Sequence, residues 1–168
     1  LIIATWAGRS IDRIEKNGKR TVLADNYEGQ KFNGPNDVIV KKNGTIYFTD
    51  TYGGLRLRGN DPGKGLQFQG VYMIKDGKVT LIIKDIPNPN GLALSPDEKY
   101  LYGNGSGDKY IKRYRVLPDD CPYQLPIAGF LDCDIVFDWI RFINYYYCSD
   151  CMRDKTKKKG RTKVSLCP

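Results

Sequence analysis

An all-β fold, a partial β-propeller, is what this sequence predicts, and three observations predict it. Residues 1–116 carry short runs of alternating apolar and polar side chains. Asn-Gly and Asp-Gly pairs, the residues that favour tight hairpins, punctuate those runs. The runs then repeat as groups, at about the length of one propeller blade. Helical periodicity is not evident in that stretch.

The elements follow in order. "LIIATW" reads as a strand already under way, with no basic leader or cleavage site before it. "IDRIEKNGKRTVLAD" predicts a hairpin with Asn17-Gly18 as a two-residue turn between Ile14 and Val22. "DVIVKKNGTIYFTD" repeats the device at Asn43-Gly44, and "GVYMIKDGKVTLIIKD" repeats it at Asp76-Gly77. "LALSPDEKYLYGNG" turns on Ser-Pro-Asp-Glu, and "KYIKRYRV" supplies a further strand.

The larger repeat aligns "PNDVIVKKNGTIYFTD" from Pro35 with "PNGLALSPDEKYLYGN" from Pro89, 54 residues later. Four-stranded blades usually recur at about 40–50 residues. The excess fits the Gly-rich insertion between Tyr52 and Gly70. Within a blade, Asp37–Val40 is then innermost, followed by Thr45–Asp50, Val71–Lys75 and, outermost, Lys78–Ile83. Asn36 and Asn90 fall at equivalent places, just where an inner strand leaves the channel mouth. They either converge on one axial point or each open their own strand with an Asx-turn.

Charge and cysteine content point elsewhere than nucleic acid, membrane or zinc. The net charge is +8; residues 1–120 hold 19 basic and 14 acidic residues, interspersed, and only "RDKTKKKGRTK" at Arg153–Lys163 is a basic block. That block reads as a solvated tail, so no nucleic-acid partner is expected. No apolar run reaches membrane-spanning length, so no membrane partner is expected. All five cysteines lie at or beyond Cys121. Cys148 and Cys151 have the spacing of half a zinc site, without a second pair and without a single histidine.

On "NGPNDVIVKKNGTIYFTD", "PNPNGLALSPDEKYLY" and "LADNYEG", the chain resembles the senescence marker protein/gluconolactonase family of regucalcin-like lactonases. The resemblance covers residues 1–118 and implies a fragment of a six-bladed propeller. It also implies a calcium or other divalent-cation cofactor at the channel mouth and a small-molecule lactone as substrate. Asn90 matches the family's metal-binding asparagine, and Asn36 matches the asparagine that contacts substrate or metal. Amide oxygens are hard, neutral ligands suited to such a cation, and carboxylates then supply the charge.

The departures are equally specific. The family's N-terminal glutamate has no counterpart, since Glu28 falls in a connecting loop. Its catalytic aspartate is absent after Asn90, and Gly34 stands where an arginine is common. Asp37 and Asp50 are the nearby carboxylates, but Asp37 is expected to cap a turn or enter the blade, and Asp50 to close its strand. No catalytic residue is therefore assigned, and the chain by itself is expected to be inactive. A non-catalytic binding propeller and a strictosidine-synthase-like or phosphotriesterase-like relative are the alternatives. From residue 119 to 168 the hairpin pattern stops, which predicts an unrelated, irregular tail.

Overall fold

The computed structural model describes residues 1–106 and 110–124. Strands β1 (Ile2–Thr5), β2 (Ser10–Ile14) and β3 (Arg20–Ala24) form one antiparallel sheet. A small hairpin, β4 (Asn26–Tyr27) and β5 (Gln30–Lys31), leads into the next sheet. There β6 (Pro35–Val40), β7 (Ile46–Asp50), β8 (Gly70–Lys75) and β9 (Lys78–Ile83) pair in chain order. β10 (Pro89–Leu94), β11 (Tyr100–Gly105), β12 (Lys112–Val116) and β13 (Pro122–Gln124) build the third sheet the same way. This is propeller architecture, and the order β6-β7-β8-β9 is the one the repeat predicts.

The first sheet corresponds to the outer three strands of a blade. β1 lies against β6 as β7 lies against β10. Trp6, just after β1, packs on Gly34 and Gly54, which flank the start of β6 and the end of β7. β1 therefore runs in the direction of β7 and takes the second position, next to where an inner strand belongs.

Core formation follows from side-chain alternation. In β7, Ile46 and Phe48 face the first sheet, joining Ile11, Phe32, Leu66 and Tyr72. Tyr47 faces the third sheet, joining Val71, Met73, Leu92, Leu101 and Tyr114. The middle blade is covered on both sides, so β7 is buried at every position. β12 buries Tyr114 fully while its flanking residues stay more exposed. Phe32 meets Phe48 and Tyr72 edge-on, with centroids 5.1 and 5.3 Å apart, the favoured arrangement for aromatic quadrupoles.

Of the three Asn-Gly and Asp-Gly turns predicted, one has the two-residue form. Asp76 and Gly77 both adopt positive φ, 51° and 75°, between the paired Lys75 and Lys78. At Gly18 and Gly44 only the glycine is left-handed, with φ of 80° and 91°. Those loops are longer: Gly18 N–H donates to Glu15 C=O at 2.9 Å, and Gly44 N–H donates to Lys41 C=O at 2.9 Å. The reason is local. Asn17 and Asn43 turn their side-chain oxygens onto the amides two residues ahead, at 3.0 and 3.1 Å, and keep ordinary backbone angles. The loop from Ser95 is one residue longer still, closing with Ser95 N–H on Tyr100 C=O at 2.9 Å, and Glu98 takes the left-handed place at φ 56°.

Ordered sheet continues past residue 118, where the hairpin pattern breaks in the sequence. β13 pairs Val116 with Pro122 and Tyr114 with Gln124. The turn before it plants Asp120 in the middle blade. There it accepts from Asn43 Nδ2 and Thr45 Oγ1 at 2.9 Å, pairs with Lys75 at 2.8 Å, and also pairs with Lys41. Cys121 is disulfide-bonded. The expectations for the tail from residue 125, including Cys148, Cys151 and the lysine block, lie outside the described residues.

Candidate functional site at the channel mouth

Both Pro-Asn strands begin with the same irregularity. In β6 the register with β7 shifts between Pro35 and Val38, and in β10 the register with β11 shifts between Pro89 and Leu92. A bulge of this kind re-aims a side chain at a strand end. Asn36 and Asn90 each sit inside one, so the equivalence read from the repeat holds at the level of backbone geometry. Asn36 is exposed and Asn90 is half-buried.

Two side chains stitch the bulges together. Thr49 Oγ1 accepts from Asp37 N–H and donates to Asn90 C=O, each at 3.0 Å. Asp37 accepts from Val38 N–H at 2.9 Å and, across the blade boundary, from Leu92 N–H at 2.7 Å. Asp37 thus points into the contact between blades. Asn90 Nδ2 donates to Ser106 Oγ at 2.6 Å, which orients the amide and leaves its oxygen as the acceptor end.

Asp50 and Asn33 hold the loop that carries Asn36. Asp50, fully buried at the end of β7, accepts from Asn33 N–H at 2.9 Å and Gly34 N–H at 2.7 Å. Burial pushes its carboxyl up to about 6, against the pull of the Gly34 and Asn33 amides and of the Arg9 guanidinium. Asn33 donates to Leu66 C=O at 2.9 Å and accepts from Gly65 N–H at 3.0 Å. The insertion between Tyr52 and Gly70 is thereby folded down onto the blade, with Leu66 in the core. Asn33 and Trp6 escaped the sequence reading because neither falls at a repeated position.

Gly34 has no room for a side chain. A methyl group there would lie 2.8 Å from the Gly54 backbone and 2.9 Å from Trp6 Cδ1. Gly34→Ala is expected to cost about 2 kcal/mol, the usual scale of overpacking a tight contact. Urea denaturation of both chains measures it, and an unchanged midpoint would contradict this packing.

Asn36 and Asn90 offer neutral amide oxygens, while Asp37 and Asp50 are committed to backbone amides. Glu28 is exposed in the β4–β5 turn at φ 50°. Among the described residues no group of three or more His, Cys, Asp or Glu side chains could hold a metal ion. Such ions take six or more oxygens with substantial negative charge. A separate groove of about 620 Å³, lined by residues of β3, β4 and β9, opens where adjacent sheets splay apart, and it does not include either asparagine.

The chain is similar to known proteins. The family model described as "SMP-30/Gluconolactonase/LRE-like region" matches residues 1–123, which includes β13's first residues. A gluconolactonase of Zymomonas mobilis is 44% identical over 106 residues, covering 62% of this chain and 30% of that protein. A lactonohydrolase of Aspergillus oryzae is 35% identical over 106 residues, covering 56% of this chain and 22% of that protein. The solved structure of a gluconolactonase from Xanthomonas campestris superposes with a TM-score of 0.62 at 32% identity, over 73% of this chain and 42% of that one. The chain spans less than half the length of each of these relatives. It belongs to the SMP-30/gluconolactonase/LRE-like family.

Proposed function

We propose that this chain is one sector of a sugar-lactone hydrolase, contributing Asn36 and Asn90 to the channel mouth and not turning over substrate on its own. The pair of stitched, Asn-bearing bulges carries this reading, because it presents two amides from adjacent blades at one end of the inner strands. Amides there can orient a lactone's oxygens by hydrogen bonding. Asn90 and Asn36 would also be the neutral ligands of a calcium or similar divalent cation, but the carboxylates that such a cation requires must come from elsewhere. On this reading neither the general base nor the anionic ligands come from the described residues, so the water that opens the ring has no group among them to activate it.

Hydrolysis of gluconolactone, followed by pH indicator, tests this with calcium, magnesium, manganese or zinc added in turn. The expected rate equals the spontaneous one. Turnover that Asn90→Ala abolishes would overturn the assignment of inactivity and establish the chain as an enzyme.

A further inference from the structure

Trp6 is a large apolar side chain left 53% exposed, on the loop between β1 and β2. Its neighbours explain how it is held there. The Cδ1, Nε1 and Cζ2 atoms rest on a floor of glycines. A methyl group added at Gly34 or Gly54 would come within 2.9 or 3.1 Å of Cδ1, and one at Gly53 within 3.1 Å of Cζ2. Gly53 is itself fixed, since its N–H donates to Thr51 Oγ1 at 2.9 Å. Thr51 N–H in turn donates to Gly34 C=O at 3.2 Å, which binds the floor into one piece. A chain that needed only to bury this indole could do so with larger neighbours. Here three glycines seat one side of it, and the indole is about half exposed in this chain.

The position gives that exposure a use. Gly34 is two residues before Asn36, and Asp50 clamps the Gly34 amide, so the indole and the Asn36 bulge are parts of one rigid unit. A rigid aromatic surface on the loop that leads into Asn36 suits a ligand with an apolar C–H face and a polar rim. An aldonolactone ring has that character: C–H bonds above and below, and hydroxyl and carbonyl oxygens around the edge. We propose that Trp6 is the stacking platform for the substrate's sugar ring, with Asn36 and Asn90 taking its oxygens. This rests on the lactone reading and narrows it, because an aliphatic lactone lacks the extended, hydroxyl-rimmed face that the indole would recognise. The role is one of positioning and specificity, since an indole supplies no proton for ring opening.

The chain has a second tryptophan, Trp139, so Trp139→Phe makes the emission report on Trp6 alone. Titration with D-galactono-1,4-lactone, a slowly hydrolysed aldonolactone, is expected to shift that emission saturably. Calorimetry should show the affinity falling about fivefold or more in Trp6→Ala, the scale of one lost aromatic contact. Trp6→Phe keeps a flat ring and should recover most of that loss, and thermal melts of both variants verify folding. Equal binding by wild type and Trp6→Ala overturns the platform while leaving the lactone reading intact. Equal binding of γ-butyrolactone and the aldonolactone overturns the sugar-ring specificity alone. Binding of no lactone overturns the platform together with the reading on which it rests.

Discussion

Asp120→Ala is expected to remove about 3 kcal/mol of stability, the usual cost of breaking a buried ion pair by deleting one partner. The Asp120 side chain is 3% exposed, and Lys41 beside it is 11% exposed. Burial works to raise the Asp120 pKa, but Lys41, Lys75, Thr45 and Asn43 together hold the carboxyl well below the ordinary range. Without the carboxylate, the Lys41 ammonium is left partly dehydrated and unpaired, and the turn into β13 loses its anchor on the middle blade. Asp120 has a φ of 71°, so Asp120→Gly separates backbone strain from lost charge. Asp120→Gly should lose nearly as much as Asp120→Ala. Lys75→Met, at a lysine 35% exposed, should lose less than about 1 kcal/mol, as exposed pairs do. Urea denaturation measures all three, and a loss below 1 kcal/mol for both Asp120 variants would remove this residue from the interactions that join the blades.

The second large effect concerns pH and Asp50. Its folded-state value of about 6 lies above the 3.8 of a free aspartate, so the folded chain binds this proton more tightly than the unfolded chain. Stability from this group is therefore fully present below about pH 4 and is lost as the pH rises to about 6. A displacement of that size corresponds to roughly 3 kcal/mol. Asp50→Asn can still accept from the Asn33 and Gly34 amides but cannot ionise. The difference in unfolding free energy between the two chains should thus move by roughly that amount from pH 4 to pH 7, in favour of the variant at the higher pH. Asp120 works in the opposite sense, since its depressed value stabilises the fold above about pH 4 and that contribution fades in acid. It is common to both chains and cancels in the difference. A difference that stays flat across the window would mean that water reaches Asp50. Asp50→Ala goes further, leaving two buried amides without an acceptor at about 1–3 kcal/mol each.

Much of the architecture was legible in the sequence, because alternation and turn residues are local. Phe48 and Tyr47 lie next to each other in the chain and enter different cores, as a period of two requires. The Pro-Asn repeat marked two equivalent strand starts, and each carries a bulge, since the same residues at the same phase meet the same strand geometry. The turn type at Asn17-Gly18 and Asn43-Gly44 was misread for an equally local reason. Asn-Gly admits two loop forms, and the side-chain bond two residues ahead selects between them.

By itself, then, the sequence determined the all-β class, the strand order within a blade, the equivalence of Asn36 and Asn90, and the family resemblance. All of these depend on residue type and spacing along one chain. Tertiary structure alone decided what surrounds the two asparagines. Asp37 reaches Leu92, Asn33 reaches Leu66, Asp120 reaches Lys41, and Trp6 settles on Gly34, Gly53 and Gly54. Each of these contacts joins residues about thirty or more positions apart. No local pattern encodes them, because a side chain's partner across a blade boundary is set by how the twisted sheets pack and not by its neighbours in sequence.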